Sequence, residues 1–228
     1  MLCRSLDKHP ELCVAQEILH LKNAAMIDWR KSLVEQMGQF SQTKEFVRRA
    51  FEQVNGFKIM LPQLPRDSEI WSYLASLPNL KVIFLERKNI LNSIISFKAS
   101  MISNVWQKES NESHNLEPFY IDPVGLEKEL NVLVEQKEYY SNFFSRKERL
   151  DLQYESLIQN WDSKIIEVQR FLNVQPIALS QELKKLTNDH KSIIKNYNEL
   201  IRHFKSTRFN VFFEYTETFL KPHVHLLL

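Results

Sequence analysis

The sequence predicts an α/β domain in three layers, a mostly parallel sheet covered by helices on both faces. Two observations carry this. Three short apolar runs have strand length and β-branched or aromatic content: Gly56-Phe-Lys-Ile-Met-Leu61, Leu80-Lys-Val-Ile-Phe-Leu85 and Leu150-Asp-Leu-Gln-Tyr154. Around and between them, segments 43–54, 67–77, 89–101, 126–144 and 163–172 repeat apolar residues at three- and four-residue spacings, the period of a helix with one buried face. No repeat, low-complexity tract or Gly/Ser-rich linker interrupts the alternation, so 1–228 reads as one domain.

Composition narrows the class. At 228 residues and 43% hydrophobic, the chain is long enough to bury a core without staples. Thirty basic and twenty-eight acidic residues are interspersed, with no basic stripe of the kind that holds nucleic acid. Cys3 and Cys13 are the only cysteines and sit in no metal-ligand spacing, which predicts no metal site and fits a reducing, cytoplasmic compartment. No apolar run has bilayer length, so no transmembrane segment is expected.

In a parallel sheet, ligands bind beyond the carboxyl ends of the strands, which directs attention to the residues after Leu61, Leu85 and Tyr154. The run Val82-Ile-Phe-Leu-Glu-Arg-Lys-Asn-Ile-Leu-Asn-Ser-Ile-Ile-Ser-Phe-Lys98 is a strand, a basic pair and the start of a helix with hydroxyls on its first turns. Arg87 offers a planar fork of donors, the helix start adds free amides and a positive dipole end, and Ser96 adds a hydroxyl. That combination suits a phosphate. On pattern alone, solvated charges at a strand end explain Arg87 and Lys88 equally well.

This strand–Arg–helix–Ser unit resembles the 3′-phosphate-binding segment of sulfotransferases that use 3′-phosphoadenosine-5′-phosphosulfate (PAPS), particularly the bacterial carbohydrate and tyrosylprotein types. Further segments resemble that family in order: Asp7-Lys-His-Pro-Glu-Leu-Cys-Val-Ala-Gln-Glu17, Gly56-Phe-Lys-Ile-Met60, Leu150-Asp-Leu-Gln-Tyr-Glu-Ser-Leu157 and Leu186-Thr-Asn-Asp-His-Lys-Ser-Ile-Ile-Lys-Asn-Tyr-Asn-Glu-Leu200. The resemblance implies a P-loop-nucleotide-hydrolase-like fold and PAPS as co-substrate. The partner would be a hydroxyl-bearing acceptor, a carbohydrate or another alcohol or phenol. It also implies Glu17 as the base, Arg87 or Lys88 with Ser96 on the 3′-phosphate, and Tyr154 on the adenosine. Lys191, Ser192 and Asn196 would belong to a loop covering the nucleotide. Ser96 lies nine residues after Arg87 and eight after Lys88, so either cation fits.

The family's glycine-containing 5′-phosphosulfate loop has no counterpart among Gly38, Gly56 and Gly125. In the matching frame its strand and loop fall upstream of residue 1. A truncated or degenerate relative that binds a nucleotide or partner without turnover is therefore the alternative. A P-loop kinase is disfavoured because Gly-x-x-x-x-Gly-Lys-Ser/Thr does not occur.

The remaining candidates have ordinary readings beside these. Glu17 also suits a first-turn helix carboxylate, Tyr154 a half-buried core residue, and 192–204 an amphipathic helix with its lysine and asparagines solvated. His9, His20 and His114 lack partners at catalytic spacing, and His223 and His225 read as tail residues. Trp106, Phe119 and Tyr120 flank a polar loop and suit core or lid packing.

Overall fold

The computed structural model of the protein describes residues 2–19, 43–103, 117–181, 191–214 and 225–227. Its helices are α1 (Leu2–Leu6), α2 (Lys44–Ala50), α3 (Glu69–Ser76), α4 (Ile90–Ser103), α5 (Pro123–Phe143), α6 (Tyr154–Gln159), α7 (Trp161–Phe171), α8 (Tyr197–Phe204) and α9 (Val211–Glu214). The strands are β1 (Val14–Glu17), β2 (Gly56–Met60), β3 (Lys81–Glu86), β4 (Glu148–Gln153) and β5 (His225–Leu227). The α/β class read from the sequence holds.

The strands form one sheet in the order β1-β2-β5-β3-β4. The pairs β1–β2 and β3–β4 are parallel, and β5 joins them antiparallel to both β2 and β3. The sheet is thus mixed at its centre, a departure from the mostly parallel sheet expected, and His225, expected in a tail, pairs with Met60 and Leu85. β1 was also unforeseen. Val14-Ala-Gln-Glu17 is too short to show a period, and tertiary contacts set it in place. Asn55 accepts from Cys13 N–H (2.8 Å) and donates to the Glu11 carbonyl (3.1 Å), while Asp7 accepts from Val14 N–H (2.8 Å).

β3 is apolar at four consecutive positions because both its faces are covered. Val82 and Phe84 join a cluster with Ala15, Phe57, Ile59, Phe46, Trp71 and Phe144 under α2, α3 and the end of α5. Ile83 and Leu85 join Leu2, Leu6, Val14, Leu152, Trp161 and Val168 under α1, α6 and α7. Each such side chain contributes roughly 1.5–3 kcal/mol of burial. A third cluster holds α4, α5, α8 and α9 together through Leu91, Ile95, Leu130, Ile194, Leu200 and Phe204.

Helix starts follow their caps. Thr43 accepts from Phe46 N–H, Ser68 from Ile70 N–H and Asp122 from Gly125 N–H. At Gly125 an added Cβ would stand 2.8 Å from the Asp122 carboxylate, so a larger residue there would make the capping side chain shift. α7 ends on Asn173, whose φ of 61° is the left-handed cap position, with Val174 N–H bonded to the Gln169 carbonyl (3.1 Å).

Beyond α7 the chain forms an extended strap, 175–181, with no assigned strand or helix. Side chains fasten its backbone. Gln169, fully buried in α7, donates to the Ile177 carbonyl (2.9 Å) and accepts from Ile177 N–H (2.9 Å). Trp161 Nε1 donates to the Leu179 carbonyl (2.6 Å) and Ser5 Oγ to that of Ser180 (2.8 Å). Replacing Gln169 with Leu leaves two backbone groups of Ile177 without partners. The expected cost is about 2–4 kcal/mol, read as a lower urea midpoint at unchanged slope.

Candidate anion-binding site

The site lies where β3 gives way to α4. Arg87 follows the strand directly and is only 3% exposed, whereas Lys88 is exposed, which singles out Arg87 as the inward cation. Its guanidinium lies over the Tyr154 ring, 4.3 Å from the centroid. All three of its nitrogens are buried without a hydrogen-bond partner among the described residues. A buried cation in that state is costly. Burial pushes the guanidinium down to about 9, opposed by Tyr154 and Glu155, so it stays charged at neutral pH. Burial also pushes the Tyr154 phenol up, opposed by Arg87, and the ring stays neutral.

The elements around Arg87 are tied down by polar contacts. Glu155 accepts from Lys88 N–H (3.2 Å), joining the end of β3 to α6. Tyr154 is the first residue of α6, not the last of a strand; β4 runs 148–153 instead of 150–154. The shift has a cause: Lys81 binds Glu148 (2.7 Å) and the Arg149 guanidinium covers Phe84, which pins two polar residues into the edge strand. Asn89 accepts from Asn92 N–H (3.4 Å), capping α4, and donates to the Phe212 carbonyl (2.8 Å), which brings α9 to the same helix start. Lys137 of α5 pairs with Glu86 (2.7 Å) on the other side.

Ser96 is buried on the stripe of α4 that also carries Asn89, Ser93 and Ser100. It lies about 9 Å further along the axis than Ile90, more than one and a half turns beyond the helix start. The 191–196 stretch packs against the segment before α5. Phe119 pairs with Ile194, and Asn196 is locked to Ile121, accepting from its N–H (3.0 Å) and donating to its carbonyl (2.8 Å). Its amide is therefore occupied by backbone. Lys191 and Ser192 are exposed, and the Lys191 ammonium sits 5.7 Å from the Tyr197 ring centroid. The expected helix over 192–204 begins only at Tyr197. Tyr120 is exposed and donates to Glu199 (3.1 Å). Trp106, His20, His114 and His223 lie outside the described residues.

Glu17 ends β1, in a strand and not a helix first turn. A bulge between Ala15 and Glu17 turns it beside Lys58, its cross-strand partner, with which it forms an ion pair. The two side chains are 15% and 16% exposed. Gln63 Nε2 donates to the other carboxylate oxygen (3.1 Å), while Gln63 Oε1 accepts from Met60 N–H (2.9 Å). β1 stands three sheet positions from β3, on the order of 14 Å at the usual strand spacing. The structure thus joins Arg87 to Tyr154 directly and sets Glu17 apart.

Four contributors were missed: Asn89, Glu155, Lys58 and Gln63. Lys58 had a signal, being the single charge in Gly56-Phe-Lys-Ile-Met60. Asn89 had the local signal of a helix N-cap, but its bond to Phe212, like the bonds of Glu155 to Lys88 and of Gln63 to Glu17, joins residues distant in sequence. Among the described residues no cluster of His, Cys, Asp or Glu forms a metal site, and no helix is long and apolar enough to cross a membrane.

An unpaired buried charge predicts a trade-off. Arg87→Met is expected to raise the stability of the unliganded protein by about 1 kcal/mol or more. It should also remove the rise in melting midpoint that phosphate produces in the wild type over chloride at equal ionic strength. The contrast between the two proteins, followed by thermal denaturation, separates site binding from general salt effects. No family model, curated protein or solved structure matches this chain.

Proposed function

We propose that this chain is a sulfotransferase-type protein whose Arg87 site takes the 3′-phosphate of PAPS and whose fold is the P-loop-like one of that family. The observation that carries the reading is the desolvated, unpartnered Arg87 guanidinium on the Tyr154 ring, at the carboxyl end of a parallel strand. A phosphate there would supply the missing acceptors, two of them bidentate, in a low-dielectric setting where charge-assisted bonds are strongest. Tyr154 would keep Arg87 oriented and offer an edge to the adenosine.

In the transfer, the acceptor oxygen bonds to the sulfur as the bond from sulfur to the bridging phosphate oxygen breaks. The acceptor's proton passes to a base, and adenosine 3′,5′-bisphosphate leaves. Glu17 is the carboxylate assigned to that proton, with Lys58 and Gln63 holding it in place. Its distance from Arg87 is one that a bound nucleotide bridges. Lys191, Ser192 and Lys88, all exposed, are left as outer contacts to the nucleotide.

A second reading is nucleotide binding without turnover. It is favoured by the engagement of both Glu17 oxygens, one by Lys58 and one by Gln63. The two readings part on measurement. Calorimetry is expected to show adenosine 3′,5′-bisphosphate binding at least about tenfold more tightly than adenosine 5′-monophosphate, with Arg87→Lys weakening the bisphosphate about 10–100-fold. Equal affinity for the two nucleotides would remove the 3′-phosphate assignment. For catalysis, Glu17→Gln is expected to lower single-turnover transfer from PAPS by about 10²–10⁴-fold at unchanged donor affinity. Absence of transfer by the wild type, with the bisphosphate preference intact, would select the binding-only reading.

A further inference from the structure

His9 is only 2% exposed and sits where the turn between α1 and β1 meets the start of the strap. Its Nδ1 accepts from Glu11 N–H (3.1 Å), and its Nε2 lies 2.8 Å from the Gln175 carbonyl. A backbone N–H can only donate and a carbonyl can only accept. The ring is therefore the neutral tautomer with its proton on Nε2. The Glu11 carboxylate completes the junction by accepting from Gln175 N–H (3.3 Å).

We propose that His9 is a proton-operated clasp that holds the strap closed when neutral and releases it when protonated. A second proton can only go on Nδ1, where it faces the Glu11 N–H: two donors then oppose each other in a buried position, and one hydrogen bond is lost. The charged groups on the surrounding elements do not prevent this. Asp7 is held by Val14 N–H, Lys8 and Arg170 are cations, and the 173–177 stretch brings no titratable side chain. The Glu11 carboxylate favours a charged ring, and one of its two oxygens, Oε1, is engaged by Gln175 N–H on the strap side of the junction.

Release would act beyond the clasp. Glu11 and Leu12 on one side and Leu172 and Val174 on the other line a cavity of about 460 Å³ at the amino ends of β1, β2 and β3. Parting the two sides would widen that cavity, which is already open to solvent. The direction follows from the hydrogen bonds alone: the closed arrangement fits the neutral ring, and a proton on Nδ1 opposes it.

The test is hydrogen exchange over 173–181 in the wild-type chain from about pH 8 to about pH 5, corrected for intrinsic rates. The expected result is an acid loss of protection of about tenfold, the worth of one buried hydrogen bond. His9→Gln can still donate to the Gln175 carbonyl but cannot titrate, so its protection should be flat over the same range. Should that variant not fold, nitrogen NMR of the wild-type ring decides. The Nε2–H tautomer should persist while the strap is protected, and ring protonation should coincide with exchange. Protonation of His9 with the strap still protected, or acid loss of equal size in His9→Gln, would overturn the clasp.

Discussion

Everything that positions the candidate site hangs from β3, a strand covered on both faces. With Val82 and Phe84 in one cluster and Ile83 and Leu85 in the other, the strand cannot slip by a residue without exchanging its two faces. Its end is therefore fixed in space, and so is Arg87, the first residue beyond it. The fully packed strand forces a guanidinium into a place where the described residues give it an aromatic face and no hydrogen-bond acceptor. Packing energy from four apolar side chains offsets the desolvation of one cation. A site that holds its charge unpaired before ligand arrives is preorganised, and the cost of burial is met by the fold, not by the ligand.

The opposite face shows how irregular chain is held without a ladder. The strap at 175–181 has its carbonyls met in turn by His9, Gln169, Trp161 and Ser5, side chains from two separate stretches of the sequence, 5–9 and 161–169. Each bond is between neutral groups and depends on one side chain. Backbone satisfied in this manner can be released piecemeal, unlike a sheet strand whose bonds are cooperative. The same economy appears at the 191–196 stretch, where a single asparagine takes both backbone groups of Ile121. Asn196, read from sequence as a nucleotide contact, is in the structure a splice between two loops.

Glu17 and Lys58 make a further point about local geometry. In an unbroken ladder alternate residues share a face, and the bulge at β1 breaks that rule to set the carboxylate beside the ammonium. An ion pair this close to buried is weak evidence of stability, since desolvation offsets much of the attraction. Its clearer effect is orientation: Lys58 and Gln63 together leave the Glu17 carboxylate no freedom to turn.

The sequence by itself determined the α/β class, β2 and β3 to within a residue, and the helices whose apolar spacing is strong, because burial imposes a period that survives in the order of residues. It also marked Arg87, since a cation after an apolar strand and before a helix is a local pattern. The choice of Arg87 over Lys88 was decided by tertiary structure, through Tyr154 and the covering helices. So were β1, β5, the start of α6 at Tyr154, and the partners of Glu17 and His9. These depend on pairing between residues 40 to 170 positions apart. Such pairing leaves no period in the sequence, and only the folded chain brings the partners within a hydrogen bond of one another.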